Sequence, residues 1–325
     1  MRAGIKGLIV TAAFLGPGTV TTATLVGAKT GYALVWLLIF AVFATFILQE
    51  MASRLGSVSG LGLSEAIMSQ ISTPPIKYLV GLLIILAIGV GNAAYEGGNI
   101  TGAAMGLKAS FGGSIKHWAI GLGTISLLLL VSGHYKFVEK ILVGLVVIMS
   151  IVFISLMFMV GINTDLLKAG LTLESSIISE STLALAIIGT TIVPYNLFLH
   201  AGLSAQEKQN EISSNKQTEQ AFEHSRGQLL CSLGIGGLVT FAVLSSSVSA
   251  FFVAQISVDP SNIANQLTPL LGQQASLFFG LGLFAAGLTS AITAPLATAY
   301  AVSGLFGWRT SLSDNRFKLT AIVIV

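Results

Sequence analysis

The sequence predicts an all-α integral membrane fold of many spans, arranged as an inverted repeat with its first and sixth transmembrane helices broken. Three observations predict it. The chain is 54% hydrophobic and only 9% charged, with a mean hydropathy of +0.87, whereas soluble domains carry about 25% charged residues. Apolar segments recur along the whole length, each near or above the ~20 residues a helical span needs. Two of these segments are interrupted mid-way, in matching places of what read as two halves.

The segments run over about 8–28, 33–53, 78–107, 115–133, 137–161, 182–203, 227–254 and 274–305, and a ninth begins near Leu319. The first is broken by Gly16-Pro17-Gly18 and the sixth at Pro194, beside Tyr195 and Asn196. Proline removes a backbone donor and clashes with the preceding turn, and glycine loosens the chain. In lipid, freed main-chain groups survive only where protein or a water-filled cavity receives them. A pair of broken helices in corresponding positions points to the midplane binding site of an inverted-repeat transporter.

Positive charge orients the chain. Of its 16 Lys and Arg residues, Lys29, Lys108, Lys116 and Lys168 fall in one set of alternate loops and the other twelve in the opposite set. Lys and Arg collect on the cytoplasmic side, which puts the N-terminus there and suits a bacterial inner (plasma) membrane. Arg2 and Lys6 precede an apolar stretch too long for a cleavable signal peptide. The chain reads as a single transmembrane domain over 1–325, with about eight complete spans. A five-plus-five repeat would need a ninth and tenth span, so the sequence is expected to be part of a longer protein.

The connections carry less information. Ser59 to Thr73 reads as an interfacial segment ended by Pro74-Pro75, which starts the third span. Ser204 to Arg226, with Glu207, Lys208, Glu211 and Lys216 of mixed sign, reads as a cytoplasmic loop, a solvated connector with a short surface helix as the alternative. Asn163 to Ser181, with Asp165, Glu174 and Glu180, reads as external. Glu50 and Arg54 read as an interfacial i,i+4 pair. Gly98, Gly102 and Gly106, and Gly280, Gly282 and Gly287, read as sites of close helix approach. The single cysteine, Cys231, excludes an intramolecular disulfide and reads as a small buried hydrophobe.

The polar residues at the breaks are the candidate site. Unwinding at Gly16 and Gly18 exposes carbonyls before it and N–H groups after it, and Thr19, Thr21, Thr22 and Thr24 add hydroxyls. Carbonyl ends attract cations and helix N-termini attract anions. The second break adds Thr190, Thr191, Val193 and Asn196, then His200, which titrates near neutral pH. Glu96 stands in the third span among Asn92, Tyr95 and Asn99. An intramembrane carboxylate is costly and marks a functional group, so Glu96 and His200 are candidates for proton coupling. Each has a structural alternative: a plain proline kink, a histidine bonded to a neighbouring helix, a carboxylate satisfied locally.

The chain also resembles the Nramp family of proton-coupled divalent metal transporters. Gly16-Pro17-Gly18-Thr19, followed by Gly31-Tyr32 and Trp36, is similar to that family's first-span region. Leu48-Gln49 with Ala52 to Gly56 resembles the end of its second span, and Phe137 to Lys140 the start of its fifth. Gly189 to His200, reading GTTIVPYNLFLH, resembles its sixth-span motif, and Ala286 to Ser290 its eighth span. The resemblance implies a metal site formed by an aspartate, an asparagine, a methionine sulfur and a backbone carbonyl. Carried over, those positions are Gly16, Thr19, Val193 and Thr190. The family's third-span acids fall at Asn92 and Tyr95, with Glu96 displaced by one. Its two sixth-span histidines fall at Tyr195 and His200.

A site without carboxylate or thioether disfavours Mn²⁺ and Fe²⁺ and leaves Mg²⁺ or another hard cation. The expected function is therefore a secondary transporter, in the manner of a symporter, moving a metal cation with altered selectivity. A carrier of a small organic anion or amino acid at the helix break stands as the alternative, and a non-transporting membrane sensor as a second. The expected partners are the transported ion or solute and membrane lipid. No nucleophile–base pair suggests an enzyme, no cofactor motif is present, and no basic patch suggests nucleic acid.

Overall fold

The computed structural model describes residues 13–132, 135–171, 180–212, 219–259, 263, 273–312 and 314–325. These are helical throughout, with no strand among them. Pro17–Thr30 forms α1 and Val35–Ser59 forms α2. The short interfacial α3 (Leu63–Gln70) leads to α4 (Pro74–Ile84), which passes through a π-turn at Ile85–Val90 into α5 (Gly91–Phe111). Then come α6 (Ile115–Val131), α7 (Tyr135–Val160), the short α8 (Thr164–Gly170), α9 (Ser181–Thr191) and α10 (Pro194–Ile212). The chain continues through α11 (Glu219–Ser247), a π-turn at Val248–Phe252, α12 (Gln273–Phe306) and α13 (Asn315–Ile324).

Among the described residues, 6 helices are long and apolar enough to cross a membrane, and Ile115–Val131 is a shorter apolar one. Of the first expected span only residues 13–28 are described, too few to count among the six, whereas the sixth counts across its break as Ser181–Gln209. Pro17 and Pro194 each occupy the first position of the half-helix that follows a break, where a missing N–H costs nothing. The non-helical residues are therefore Leu15-Gly16 and Ile192-Val193. Gly18 belongs to α1 rather than to the unwound stretch.

The long α12 is the central pillar, packed on α5, α7, α10 and α13. Lipid gives helices no hydrophobic reason to associate, so close approach between small residues must do it. A side chain on Gly106 would run into the main chain of Gly280 and Phe284, and one on Gly287 into Ala103 and Asn99. Gly102 accommodates Pro17, and Gly282 accommodates Phe153. Gly98 has nothing against it, so the expected glycine stripe serves packing at Gly102 and Gly106 only. The outward faces carry Phe40, Phe43, Leu79, Phe158 and Leu185, all exposed, which suits acyl chains.

Other expectations change. Glu207 and Lys208 extend α10, and Glu211 lies in the same helix, so the first part of the expected connector is helical; Lys216 lies outside the described residues, as does Glu174. Glu50 forms an ion pair with Arg226 of α11 at 3.4 Å, so its partnership reaches across helices. Cys231 is exposed on α11 because it falls on that helix's outer face, next to exposed Leu230. The segment after Ser59 does form the amphipathic α3, which opens with Glu65 accepting from the Gly62 amide at 2.8 Å.

Candidate functional site

The two breaks meet, and each satisfies the other's main chain. Thr19, from the first turn of α1, donates its hydroxyl to Phe14 O at 2.9 Å and lies 3.2 Å from Thr190 O. Tyr195, from the first turn of α10, donates to Ala13 O at 2.5 Å. Thr45 of α2 takes up Thr191 O, at 3.2 Å. The carbonyls of Ala13, Phe14, Thr190 and Thr191, freed where the helices stop before Leu15-Gly16 and Ile192-Val193, thus face donors inside the protein, as a bilayer requires. Thr19 has one proton and two carbonyls to serve. The cluster of Phe14 O, Thr190 O and Thr19 Oγ1 therefore holds more oxygen lone pairs than protons, the condition that suits a hard cation.

The third expected span supplies the charge. The π-turn at Ile85–Val90 offsets the helix by one residue. After it, Asn92, Glu96, Asn99 and Ala103 are buried while Tyr95 is 59% exposed. Asn92 donates to Ala294 O at 3.2 Å and to Thr298 Oγ1 at 2.8 Å, tying α5 to α12. Glu96 is 1% exposed. Its Oε2 accepts from Asn99 Nδ2 at 3.3 Å, and its Oε1 has no hydrogen-bond partner.

Gly16 faces this group. A Cβ built there would lie 2.9 Å from Ser290 Oγ of α12 and 3.8 Å from Asn99 Oδ1. Tyr195 lies beside both Glu96 and Ser290 and packs edge-on against Tyr95. Sequence reasoning named Glu96 with Asn99 in the same span but did not join Ser290 to them. Their signal, polar residues on the inward faces of two gapless apolar helices, becomes readable only once the helix phases are known.

Below the breaks the bundle is closed. His200 Nδ1 and Gln49 Oε1 are 2.9 Å apart, and Ser53 and Ser204 hydroxyls 3.2 Å apart. Gly56 lets α2 pack directly on Ala201 and Ala205 of α10. His200 therefore braces two helices and is not grouped with Glu96. Above the breaks a cavity of about 630 Å³ is lined by Pro17, Gly18, Thr22, Tyr95, Asn99 and Phe279, among others. Asn196 is buried at the start of α10. Val193 is half-buried within the break, while the Pro194 ring and Gly18 are exposed. Among the described residues no group of three His, Cys, Asp or Glu side chains stands ready for a metal ion.

A bundle whose two interrupted helices cross-brace at mid-depth, beneath a cavity, is an inverted-repeat membrane transporter fold. Its sequence matches the family model described as natural resistance-associated macrophage protein-like over residues 7–325; the chain belongs to the Nramp family. Among solved structures it is similar to a mutant of the manganese transporter of Eremococcus coleocola, at 23% identity and a TM-score of 0.75. That match covers 99% of this chain and 68% of the other. It is also similar to MhsT in complex with L-phenylalanine, at 16% identity and TM-score 0.59, over 100% of this chain and 77% of that one. MHP1, a nucleobase-cation-symport-1 family transporter, matches at 12% identity and TM-score 0.55, over 99% and 70%. At these identities the likenesses establish the fold.

Proposed function

We infer that this protein carries a metal cation across the membrane, binding it where the two breaks meet. One observation carries the reading: Thr19 Oγ1 sits between Phe14 O and Thr190 O, one from each broken helix. Membership of the Nramp family and the fold shared with a manganese transporter support it. The substrate-binding set is Gly16, Gly18, Thr19, Thr22, Thr190, Val193 and Asn196, with Pro17 and Pro194 shaping the breaks. Gly16 and Val193 bring neither carboxylate nor sulfur, so hard cations such as Mg²⁺ are favoured over Mn²⁺ and Fe²⁺. Glu96 and His200 are the intramembrane groups available for coupling. Residues 1–325 act as one transmembrane domain with a cytoplasmic N-terminus, in a bacterial inner membrane.

A second reading has its own support. The first turn of α1 has no side-chain cap at Gly16, and Gly18, Thr21 and Thr22 line the cavity. A carboxylate group of an organic anion or amino acid fits such a helix start. Uptake into proteoliposomes decides between the two. Mg²⁺ and Mn²⁺ are offered with and without a pH gradient, alongside a panel of carboxylates. Metal uptake that falls in Thr19→Val supports the cation reading. Uptake of a carboxylate with no metal flux overturns it, and no flux of any kind favours a sensor.

A further inference from the structure

The family-typical carboxylate position, Gly16, is empty of charge, yet a carboxylate reaches the same neighbourhood from α5. We propose that Glu96, Asn99 and Ser290 form a binding site for one alkali-metal monocation beside the helix breaks.

Three observations carry this. First, Glu96 and Ser290 are each 1% exposed, and Glu96 Oε1 and Ser290 Oγ both lack a hydrogen-bond partner. A buried polar atom left unpaired costs stability, and two of them on facing helices mark a place built for a ligand. Second, the Asn99 amide is oriented. Its Nδ2 is spent on Glu96 Oε2 at 3.3 Å, and its Oδ1 lies 3.8 Å from a Cβ built on Gly16, the point that is 2.9 Å from Ser290 Oγ. The three groups together offer oxygens only, the donor set of a hard cation. Third, the neighbouring hydroxyl does not donate to the site: Tyr195 lies beside Ser290, and its proton is held by Ala13 O.

Charge decides which cation. The site has one carboxylate, and no His, Cys, Asp or Glu group of three lies near it among the described residues. A monocation is neutralised there. A dication stripped of its waters and held by these oxygens alone would remain singly positive, and uncompensated buried charge is heavily penalised; Mg²⁺ at the breaks, beside the cavity, can keep part of its hydration. Gly16 is what admits the arrangement, because an acid at that position would double the negative charge and turn the preference to divalent ions.

As a coupling-ion site this rests on the carrier reading; as a binding site it stands without it. The test is thermal unfolding of the purified protein titrated with NaCl, KCl or MgCl₂, with choline chloride holding ionic strength constant. The expected result is a saturable rise in Tm with Na⁺ or K⁺, lost in Glu96→Gln and shifted to roughly tenfold higher concentration in Ser290→Ala, the loss of one ligand oxygen. Glu96→Asp should keep the response at reduced affinity. A rise of equal size in Glu96→Gln overturns the site, as does silence of the wild type toward both alkali ions. A rise with Mg²⁺ alone that needs Glu96 overturns the monovalent assignment. Because no flux is read, failure here leaves the uptake result untouched, and failure of uptake leaves this binding measurable.

Discussion

At Gly16, the absence of a side chain matters as much as any group present. A Cβ there would meet Ser290 Oγ at 2.9 Å and approach Asn99 Oδ1 to 3.8 Å. The hydroxyl can rotate away, so sterics alone do not forbid an acid. Charge does, because a new carboxylate would join Glu96 in a low-dielectric site. Gly16→Asp is therefore expected to lower Tm in metal-free buffer, and Glu96→Gln added to it should restore most of the loss. The coupling between the two changes should be about 1–3 kcal/mol in a double-mutant cycle. The same single variant should gain stabilisation by Mn²⁺ that the wild type lacks. Tyr195→Phe makes a separate case. It strands Ala13 O, which Tyr195 now satisfies, at an expected cost of about 1–3 kcal/mol in unfolding free energy. An unchanged unfolding midpoint would mean that water replaces the phenol.

At the scale of elements, α2 and α10 form the closed half below the breaks, and α5 and α12 hold the site. The first pair depends on Gly56, whose missing Cβ lets α10 approach to Ala201 and Ala205 main chain. Gly56→Leu should wedge the pair apart. A cysteine placed at Ser204, otherwise bonded to Ser53, should then react with a small maleimide severalfold faster, while far-ultraviolet circular dichroism stays helical. An unaltered labelling rate would show that the helices repack without opening. Much of this layer was legible in the sequence. Both breaks were, because proline and glycine act on the chain locally. Their mutual bracing was not: Tyr195 and Ala13 stand 182 residues apart, and nothing local signals the pairing. The π-turn at Ile85–Val90 was hidden in an apolar run without proline. That turn decides that Glu96 is buried while Tyr95 lines the cavity, so Ser290 could not be joined to Glu96 beforehand. Glu207 and Lys208 left two readings open, a solvated connector or a short surface helix, and they belong instead to the continuing α10. Their polarity marks the end of the membrane, and a helix can cross that boundary without ending.

For the whole molecule, the breaks divide an open half from a closed one. The cavity lies on the side of Thr22, Lys108 and Phe279, and Gln49, Ser53, Ser204 and His200 fill the other side. With the N-terminus in the cytoplasm, as proposed from the asymmetric distribution of Lys and Arg, the cavity would face outward. Alternating access then asks for the reverse arrangement during turnover, with α2 and α10 parting. The one native cysteine, Cys231, is exposed on α11 within a membrane-spanning stretch, so labelling experiments begin from Cys231→Ser. In that background Thr22→Cys should react with a membrane-impermeant thiol reagent applied outside intact cells, because a cavity of about 630 Å³ leads to it. Ser53→Cys, which is 4% exposed in the native chain, should stay protected from the same reagent. Adding the transported cation should slow the first reaction as the site fills, and should expose Ser53→Cys to reagent inside inverted vesicles. Equal labelling of both positions from one side would deny the division into halves. Labelling of Thr22→Cys only in inverted vesicles would turn the molecule over, reversing the orientation drawn from its charges while leaving the shared site of the two breaks intact.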